Sequence, residues 1–245
     1  MGDRLLDILK DMQVFVYGSI ANLPLCIGAT MLLFGLFTCN YAMLFFLIGF
    51  LLAVPLVATL GNTLAELLKM DMFTIDKSDV CGITTEFRTT PIPSGSREHV
   101  IISNWFAMML FFCGYIIMNA YQMILKPEEN PDSNVPGVSN NSEKVFNRLS
   151  QAGTSFGLIM ILILIISIYR YQSKCESFMN RDNPWWLGGL ILLFGIAFYV
   201  GGGIGWYYLL SRIGQDRLSD LFGIANRLLP PGAFQKGPMA CLPVA

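Results

Sequence analysis

The sequence has few charged residues and only one histidine. Lys, Arg, Asp and Glu make up 13% of its 245 residues, about half the share that soluble domains carry. Together with a mean hydropathy of +0.55, this scarcity excludes an ordinary soluble domain and indicates an integral membrane protein. The net charge of −1 provides no basic field, so we predict no direct nucleic-acid partner.

The lack of histidine and of paired cysteines also limits the chemistry. None of the six cysteines forms a CxxC pair, and His99 alone cannot complete a zinc site of ordinary spacing. The long apolar segments contain no Lys, Arg or Asp, which leaves no intramembrane proton relay. We therefore predict no metal, no cofactor and no enzymatic activity.

Five apolar segments are long enough to cross a bilayer as helices of about 20 residues. They predict an all-α membrane bundle with spans at 14–37, 41–66, 101–125, 153–169 and 185–210. Pro24 and Pro55 lie inside the first two spans, where we expect kinks. A small channel or transporter lined by Pro24, Pro55, Asn22 and Asn119 is one alternative.

Aromatic residues mark both ends of the fifth span. Trp185 and Trp186 follow a proline at its start, and Trp206 lies near its end. The helical rise from Trp186 to Trp206 is about 30 Å, the thickness of the hydrocarbon core. We expect all three rings at the headgroup level, where tryptophan is enriched.

The fifth span is also rich in glycine. Gly188, Gly195 and Gly202 recur every seven residues, and Gly201 and Gly205 form a GxxxG pair. Small residues on one helix face allow a close approach of two membrane helices. We predict that these five glycines pack helices together.

Polar segments flank the spans. Residues 1–13 and 216–229 both have the pattern of an amphipathic helix, and the chain ends in a Pro- and Gly-rich tail. The loop 126–150 is rich in turn residues, with a helix expected from about Ser142. Besides the lipid bilayer, we expect other subunits of an assembly as partners, bound through the 126–150 loop and the 211–245 segment.

Charge predicts the orientation only weakly. Residues 1–13, 67–100 and 170–184 hold nine Lys or Arg, and the opposite side holds seven, so the positive-inside rule favours a cytosolic N-terminus. Asn140 starts a glycosylation sequon on the side that this rule places outside. Cys39 and Cys241 fall on that same side, where they are able to pair.

The stretch "PIPSGSREH", residues 91–99, looks at first like a phosphate site. Pro93-Ser94-Gly95 resembles one motif of the type-2 phosphatidic acid phosphatases, a family that uses two histidines, one as nucleophile and one as acid. This chain has Ser96 where the family has a histidine, and Leu218 follows Ser211-Arg212 where the second histidine belongs. Three spans also separate the half-sites, which places them on opposite membrane faces. We reject a phosphatase.

The alternative for 91–99 is a loop that leads into the third helix. Ser94 or Ser96 would cap this helix, with Glu98 in its first turn. Arg97 and His99 would then contact lipid headgroups or a partner.

The segment from Ser219-Asp220-Leu221 to "PMACLPVA" resembles the tails of multi-pass membrane proteins of nucleocytoplasmic large DNA viruses. The resemblance is confined to residues 219–245 and includes no catalytic motif. It implies a virion component that links the internal membrane to minor capsid proteins. We therefore expect a non-enzymatic structural subunit of a viral internal membrane; an accessory subunit of a cellular, respiratory-type membrane complex is the second alternative.

Overall fold

The structure, a computed structural model, describes residues 11–12, 15, 18–69, 74–76, 97–125, 141–173, 185–214 and 216–221. Within these residues, four helices are long and apolar enough to cross a membrane, and a shorter apolar helix precedes them. In chain order the elements are α1 Leu23–Phe37, α2 Tyr41–Leu67, β1 Thr74–Asp76, β2 Arg97–His99, α3 Asn104–Leu125, α4 Asn141–Ser173, α5 Trp185–Gly214 and α6 Asp216–Ser219. The predicted all-α membrane bundle is confirmed.

Helix α3 forms the centre of the bundle. It packs against α5 and α4 most extensively and against α2 and α1 on its other sides. Of residues 104–122 in α3, 78% are buried. In the apolar parts of α4 and α5 that are long enough to cross a membrane, only 22% of the residues are buried. The outer helices therefore expose the apolar side chains that a bilayer would cover.

Contacts between the helices define two ends of the bundle. At one end, which we name the strand end, β1 and β2 precede α3, and the Trp105 ring lies 5.5 Å from the Tyr169 ring of α4. At the other, the turn end, the short connection 38–40 joins α1 to α2, and α5 runs into α6. α3 and α5 run parallel, because Gly195 faces Ile102 and Gly203 faces Phe111 further along both helices.

Pro24 lies at the start of helix α1, where a kink in the middle of a span was predicted. Pro24 lies in its first turn, and Asn22 forms a turn between α1 and the helical residues 18–21. Proline has no N–H to donate, so the first turn is where a helix tolerates it best. The carbonyl of Ala21, next to this break, accepts a 2.9 Å hydrogen bond from the Trp105 indole N–H.

Pro55 distorts α2 in a different way. Residues Ile48–Ala53, just before it, form a π-helical segment, in which the Val54 N–H reaches back to the Gly49 carbonyl. The widened turn accommodates a proline that cannot bond to the carbonyl four residues earlier. At the kink predicted for Pro55, the helix thus contains a π-helical turn, which holds one extra residue.

The connection from α1 to α2 is a tight turn closed by backbone hydrogen bonds. The Asn40 N–H donates to Gly35 O at 2.9 Å, and the Cys39 N–H donates to Leu36 O at 3.4 Å. This pair of bonds is a Schellman motif, which requires a left-handed residue, and Cys39 has φ 51°. Asn40 then caps α2, since its side chain accepts from the Ala42 N–H at 3.0 Å.

The start of α3 differs from the prediction. The helix begins at Asn104, three residues later than expected, and Ser103 caps it by accepting from the Phe106 N–H at 3.2 Å. Glu98 therefore lies outside its first turn. Arg97–His99 instead form β2, which pairs antiparallel with β1 so that Asp76 is opposite Arg97 and Thr74 is opposite His99.

The predicted terminal helices are only partly described. Of the amphipathic helix 1–13, residues 11–12 are helical and the rest lie outside the described residues. Of the predicted helix 216–229, residues 216–219 form α6, residues 220–221 are not helical, and the rest lie outside the described residues. The chain turns there because Leu221 is fully buried in the bundle.

Candidate functional site

The turn end holds a buried junction between the bundle and the start of the C-terminal segment. The Tyr115 hydroxyl, at the middle of α3, donates to the Ser219 carbonyl at 2.8 Å. The Asn40 amide donates to the Leu221 carbonyl at 3.2 Å. Two distant parts of the chain thereby supply backbone-directed hydrogen bonds to one short segment. We name residues Asn40, Tyr115, Ser219, Asp220 and Leu221 the C-terminal anchor.

Aromatic packing holds the central side chain of this anchor in place. Tyr115 meets the Phe46 ring edge-on at 4.9 Å and the Tyr207 ring edge-on at 5.4 Å. Tyr115 itself is fully buried. Edge-to-face pairs of this kind fix ring orientation and add roughly 0.5–1.5 kcal/mol each in soluble proteins, so the hydroxyl is aimed at Ser219 by its surroundings.

The anchor encloses polar groups that are rarely buried. Ser219 is fully buried, and Asp220 is 4% exposed. Burial of a carboxyl group is costly unless its neighbours compensate it. Leu221 beside it is also fully buried, so residues 219–221 pack together into the bundle.

At the strand end, one amide fixes the entry to α3. The Asn62 side chain accepts from the Ile101 N–H at 2.9 Å and donates to the Ile102 carbonyl at 3.3 Å. Asn62 lies on α2, so this pair of bonds attaches the segment between β2 and α3 to the neighbouring helix. The backbone of Arg97 and His99 reaches this end through β2; their predicted contacts with headgroups or a partner stay predictions.

The predicted packing glycines do not share one environment. Gly188 and Gly195 are buried, and a Cβ on Gly195 would collide with the Ile102 side chain. Gly202 is exposed, with Phe111 at 3.9 Å from a built Cβ. A Cβ on Gly201 or Gly205 would meet nothing within 4 Å, so the GxxxG pair faces outward.

Two glycines that the sequence analysis did not single out for packing, Gly114 and Gly203, lie where the backbones of α3 and α5 meet. A Cβ on Gly203 would collide with the backbone of Phe111 and Tyr115, and one on Gly114 would collide with the Val200 carbonyl. The backbones of α3 and α5 therefore touch on both sides of one crossing. Gly114 stands alone in α3, and its only sequence signal was a glycine inside an otherwise bulky apolar helix.

The tryptophans of α5 also divide between two environments. Trp206 is half-buried, and its indole N–H donates to the Phe45 carbonyl at 3.2 Å. A Cβ on Gly49 would lie 2.8 Å from this ring, so the indole fills a notch in the π-helical segment of α2. Trp186 is 54% exposed, as a ring at a membrane surface would be. Trp185 is the first residue of α5.

The cysteines include one that is oxidised. Cys39 forms a disulfide, while Cys26 and Cys113 are free thiols. The predicted partner, Cys241, lies outside the described residues, as does the sequon residue Asn140. Among the residues that the structure describes, no group of three or more His, Cys, Asp or Glu is arranged to hold a metal ion.

Comparisons with known proteins identify no relative of this chain. No family model, no curated protein and no solved structure matches it. The role of this chain is therefore inferred from the C-terminal anchor and the bundle around it.

Proposed function

We propose that this chain is a non-enzymatic structural subunit of a large membrane assembly. The bundle would hold it in the bilayer, and the chain after Leu221 would dock other subunits at the turn end. The observation that carries the proposal is the C-terminal anchor. Tyr115 and Asn40 both donate to backbone carbonyls just before the tail, so the tail starts at a fixed point of the bundle.

A fixed starting point favours docking because it reduces the freedom that a bound tail must lose. A segment that is ordered only on binding loses conformational entropy at that moment, which weakens its affinity. Here the first residues of the segment are already ordered by the bundle. A membrane protein whose tail served no purpose would have no need to bury Ser219, Asp220 and Leu221 together.

The middle of the bundle supports a structural role over a conducting one. An aromatic cluster packs around α3, with ring centres 4.9–6.4 Å apart; its members are Phe46, Phe50, Phe111, Phe112 and Tyr115. Aromatic side chains therefore fill the space that a polar pathway along this helix would need. The Asn22 side chain, considered above for such a pathway, donates to the Gly18 carbonyl four residues earlier at 3.1 Å.

The finer form of the proposal is a component of a virion internal membrane that links the bilayer to minor capsid proteins. It is supported by the resemblance of residues 219–245 to tails of multi-pass proteins of large DNA viruses. The predicted 126–150 loop would provide a second docking surface; its residues 126–140 lie outside the described residues, and α4 begins at Asn141. An accessory role in a cellular membrane complex uses the same surfaces with different neighbours.

The test removes the tail and leaves the anchor. A chain that stops after Leu229 should insert into membranes and lose co-purification with the native particle. A control carries residues 230–245 in scrambled order, which separates sequence from length. Unchanged co-purification of the truncated chain would contradict the proposal. Hydrolysis of lipid phosphate by the wild type, lost in His99→Ala, would contradict the non-enzymatic assignment.

A further inference from the structure

Cys39 is disulfide-bonded, and the cysteine bonded to it is neither Cys26 nor Cys113, which are free thiols. The six cysteines of the sequence leave three candidates: Cys81, Cys175 and Cys241. Bridged cysteines have Cα atoms about 4.4–6.8 Å apart. The positions of the described elements are therefore enough to decide among the three.

Cys39 lies at the extreme turn end of the bundle. It follows the last turn of α1 and adopts φ 51°, a conformation that costs a residue other than glycine in stability. Glycine is the usual residue at this place in a Schellman motif. The Cys39 side chain is half-buried at this turn.

Cys81 and Cys175 follow β1 and α4 in the chain, and both of these elements end at the strand end. Asn62, which bonds the segment between β2 and α3, lies 21 residues along α2 from Tyr41, a rise of about 32 Å. Cys81 is five residues beyond β1 and Cys175 two residues beyond α4, so they reach at most about 18 Å and 7 Å from these elements. Neither segment reaches Cys39, and irregular backbone does not cross lipid.

For Cys241, neither the reach of the chain nor the lipid prevents a bond to Cys39. The Leu221 carbonyl accepts a hydrogen bond from Asn40, the residue next to Cys39. Twenty residues separate Leu221 from Cys241, and a chain of this length spans much more than the short return that is needed. The anchor thus delivers the C-terminal segment beside the oxidised cysteine.

We propose that Cys39 is bonded to Cys241, and that the turn end faces an oxidising compartment while the strand end and N-terminus face a reducing one. The two thiols lose two protons and two electrons, which pass to an oxidised dithiol oxidoreductase or oxidised glutathione by thiol–disulfide exchange. Disulfides persist in oxidising compartments, so the bond fixes the orientation that charge counts predict only weakly. The Asn140 sequon precedes α4 at this same end.

This inference does not depend on the partners proposed above. Full-length protein is treated with N-ethylmaleimide before lysis, digested without reductant and analysed by mass spectrometry. The Cys39 peptide should be recovered linked to the Cys241 peptide. A link from Cys39 to Cys81 or Cys175, or an alkylated Cys39, would overturn the assignment.

Free-thiol counts in denatured, unreduced variants give a second test. Cys39→Ser and Cys241→Ser should each show one more free thiol than the wild type, because each releases its partner. The control Cys26→Ser removes a free thiol and should show one fewer. A decrease in Cys241→Ser would reject the pair.

Sidedness is tested in sealed vesicles. After reduction, a membrane-impermeant maleimide should label Cys39 from one side and Cys175 only from the other. Labelling of both from one side would reject the orientation. None of these measurements involves another protein, so their failure is distinct from failure of the docking proposal.

Discussion

The apolar windows of α3 and α4 are 19 and 18 residues long, yet their surroundings are opposite. Of the residues in the α3 window, 78% are buried, against 22% in α4. The apolar window of α3 is also the least apolar of the four, and it contains three amides, Asn104, Asn119 and Gln122, whereas the α4 window contains none. In lipid, an apolar side chain gains no hydrophobic energy by entering the bundle, so van der Waals packing and hydrogen bonds select the inner helix. The span that carries the amides therefore occupies the centre.

The crossing of α3 and α5 offers the strongest way to break this arrangement. Gly203→Val would force a side chain against the backbone of Phe111 and Tyr115, and backbone cannot move aside as a side chain does. We expect loss of the folded bundle, measured as aggregation in size-exclusion chromatography after detergent extraction. Gly205→Val, with nothing within 4 Å of its Cβ, is the matched control and should elute as the wild type does.

Two methionines test the difference in burial between the inner helix α3 and the outer helix α4. Met109 on α3 is fully buried, and Met160 on α4 is 66% exposed. Met109→Ala leaves a cavity and should lower the free energy of unfolding by about 2 kcal/mol, the low end for buried methionine, because lipid removes the transfer term. Met160→Ala should change it by less than about 0.5 kcal/mol. Equal losses in a detergent-unfolding titration would contradict the assignment of inside and outside.

The C-terminal anchor is tested by removing one hydroxyl group. Tyr115→Phe retains the ring contacts with Phe46 and Tyr207 and loses the bond to the Ser219 carbonyl. We expect a loss of about 1 kcal/mol in unfolding free energy and faster proteolysis after Leu221, because the segment detaches more often. Tyr208→Phe, at a tyrosine that is 46% exposed, is the control. Unchanged proteolysis in Tyr115→Phe would show that Asn40 and Leu221 hold the segment without Tyr115.

The smallest effect is expected at the notch in α2. Trp206→Phe loses the bond from the indole N–H to Phe45 O but fills most of the space beside Gly49. The loss should be about 0.5–1 kcal/mol, read from the midpoint of thermal unfolding. Trp186→Phe is the comparison, since Trp186 is 54% exposed. A larger effect at Trp186 would place the important tryptophan at the surface.

The sequence was sufficient to predict the four helices that are long and apolar enough to cross a membrane, because their signal is local. A run of about 20 apolar residues leaves few alternatives to a helix in the bilayer. The start of α3 was predicted too early, because Ser94 and Ser96 were its candidate caps and Ser103 was missed. The helix begins at Asn104, and residues 97–99 before it pair with β1.

The anchor and the packing glycines depend on contacts that no local pattern contains. Leu218 and Leu221 suit a membrane-facing helix as well as a segment that folds back into the bundle, because both bury leucine. The run Gly201-Gly202-Gly203 places a glycine on nearly every side of α5. Only the position of α3 determines that Gly203 makes the contact and Gly201 does not.

The central position of α3 has a consequence for biosynthesis. Its main packing partner, α5, ends 89 residues after α3 does, at Gly214 compared with Leu125. At a synthesis rate of about 5–20 residues per second, α5 is complete only about 4–18 s after α3. Until α4 and then α5 are made, the least apolar span has only α1 and α2 to shield it from lipid. An insertase or chaperone that shelters α3 until α5 arrives would therefore determine how much of the protein reaches its folded state.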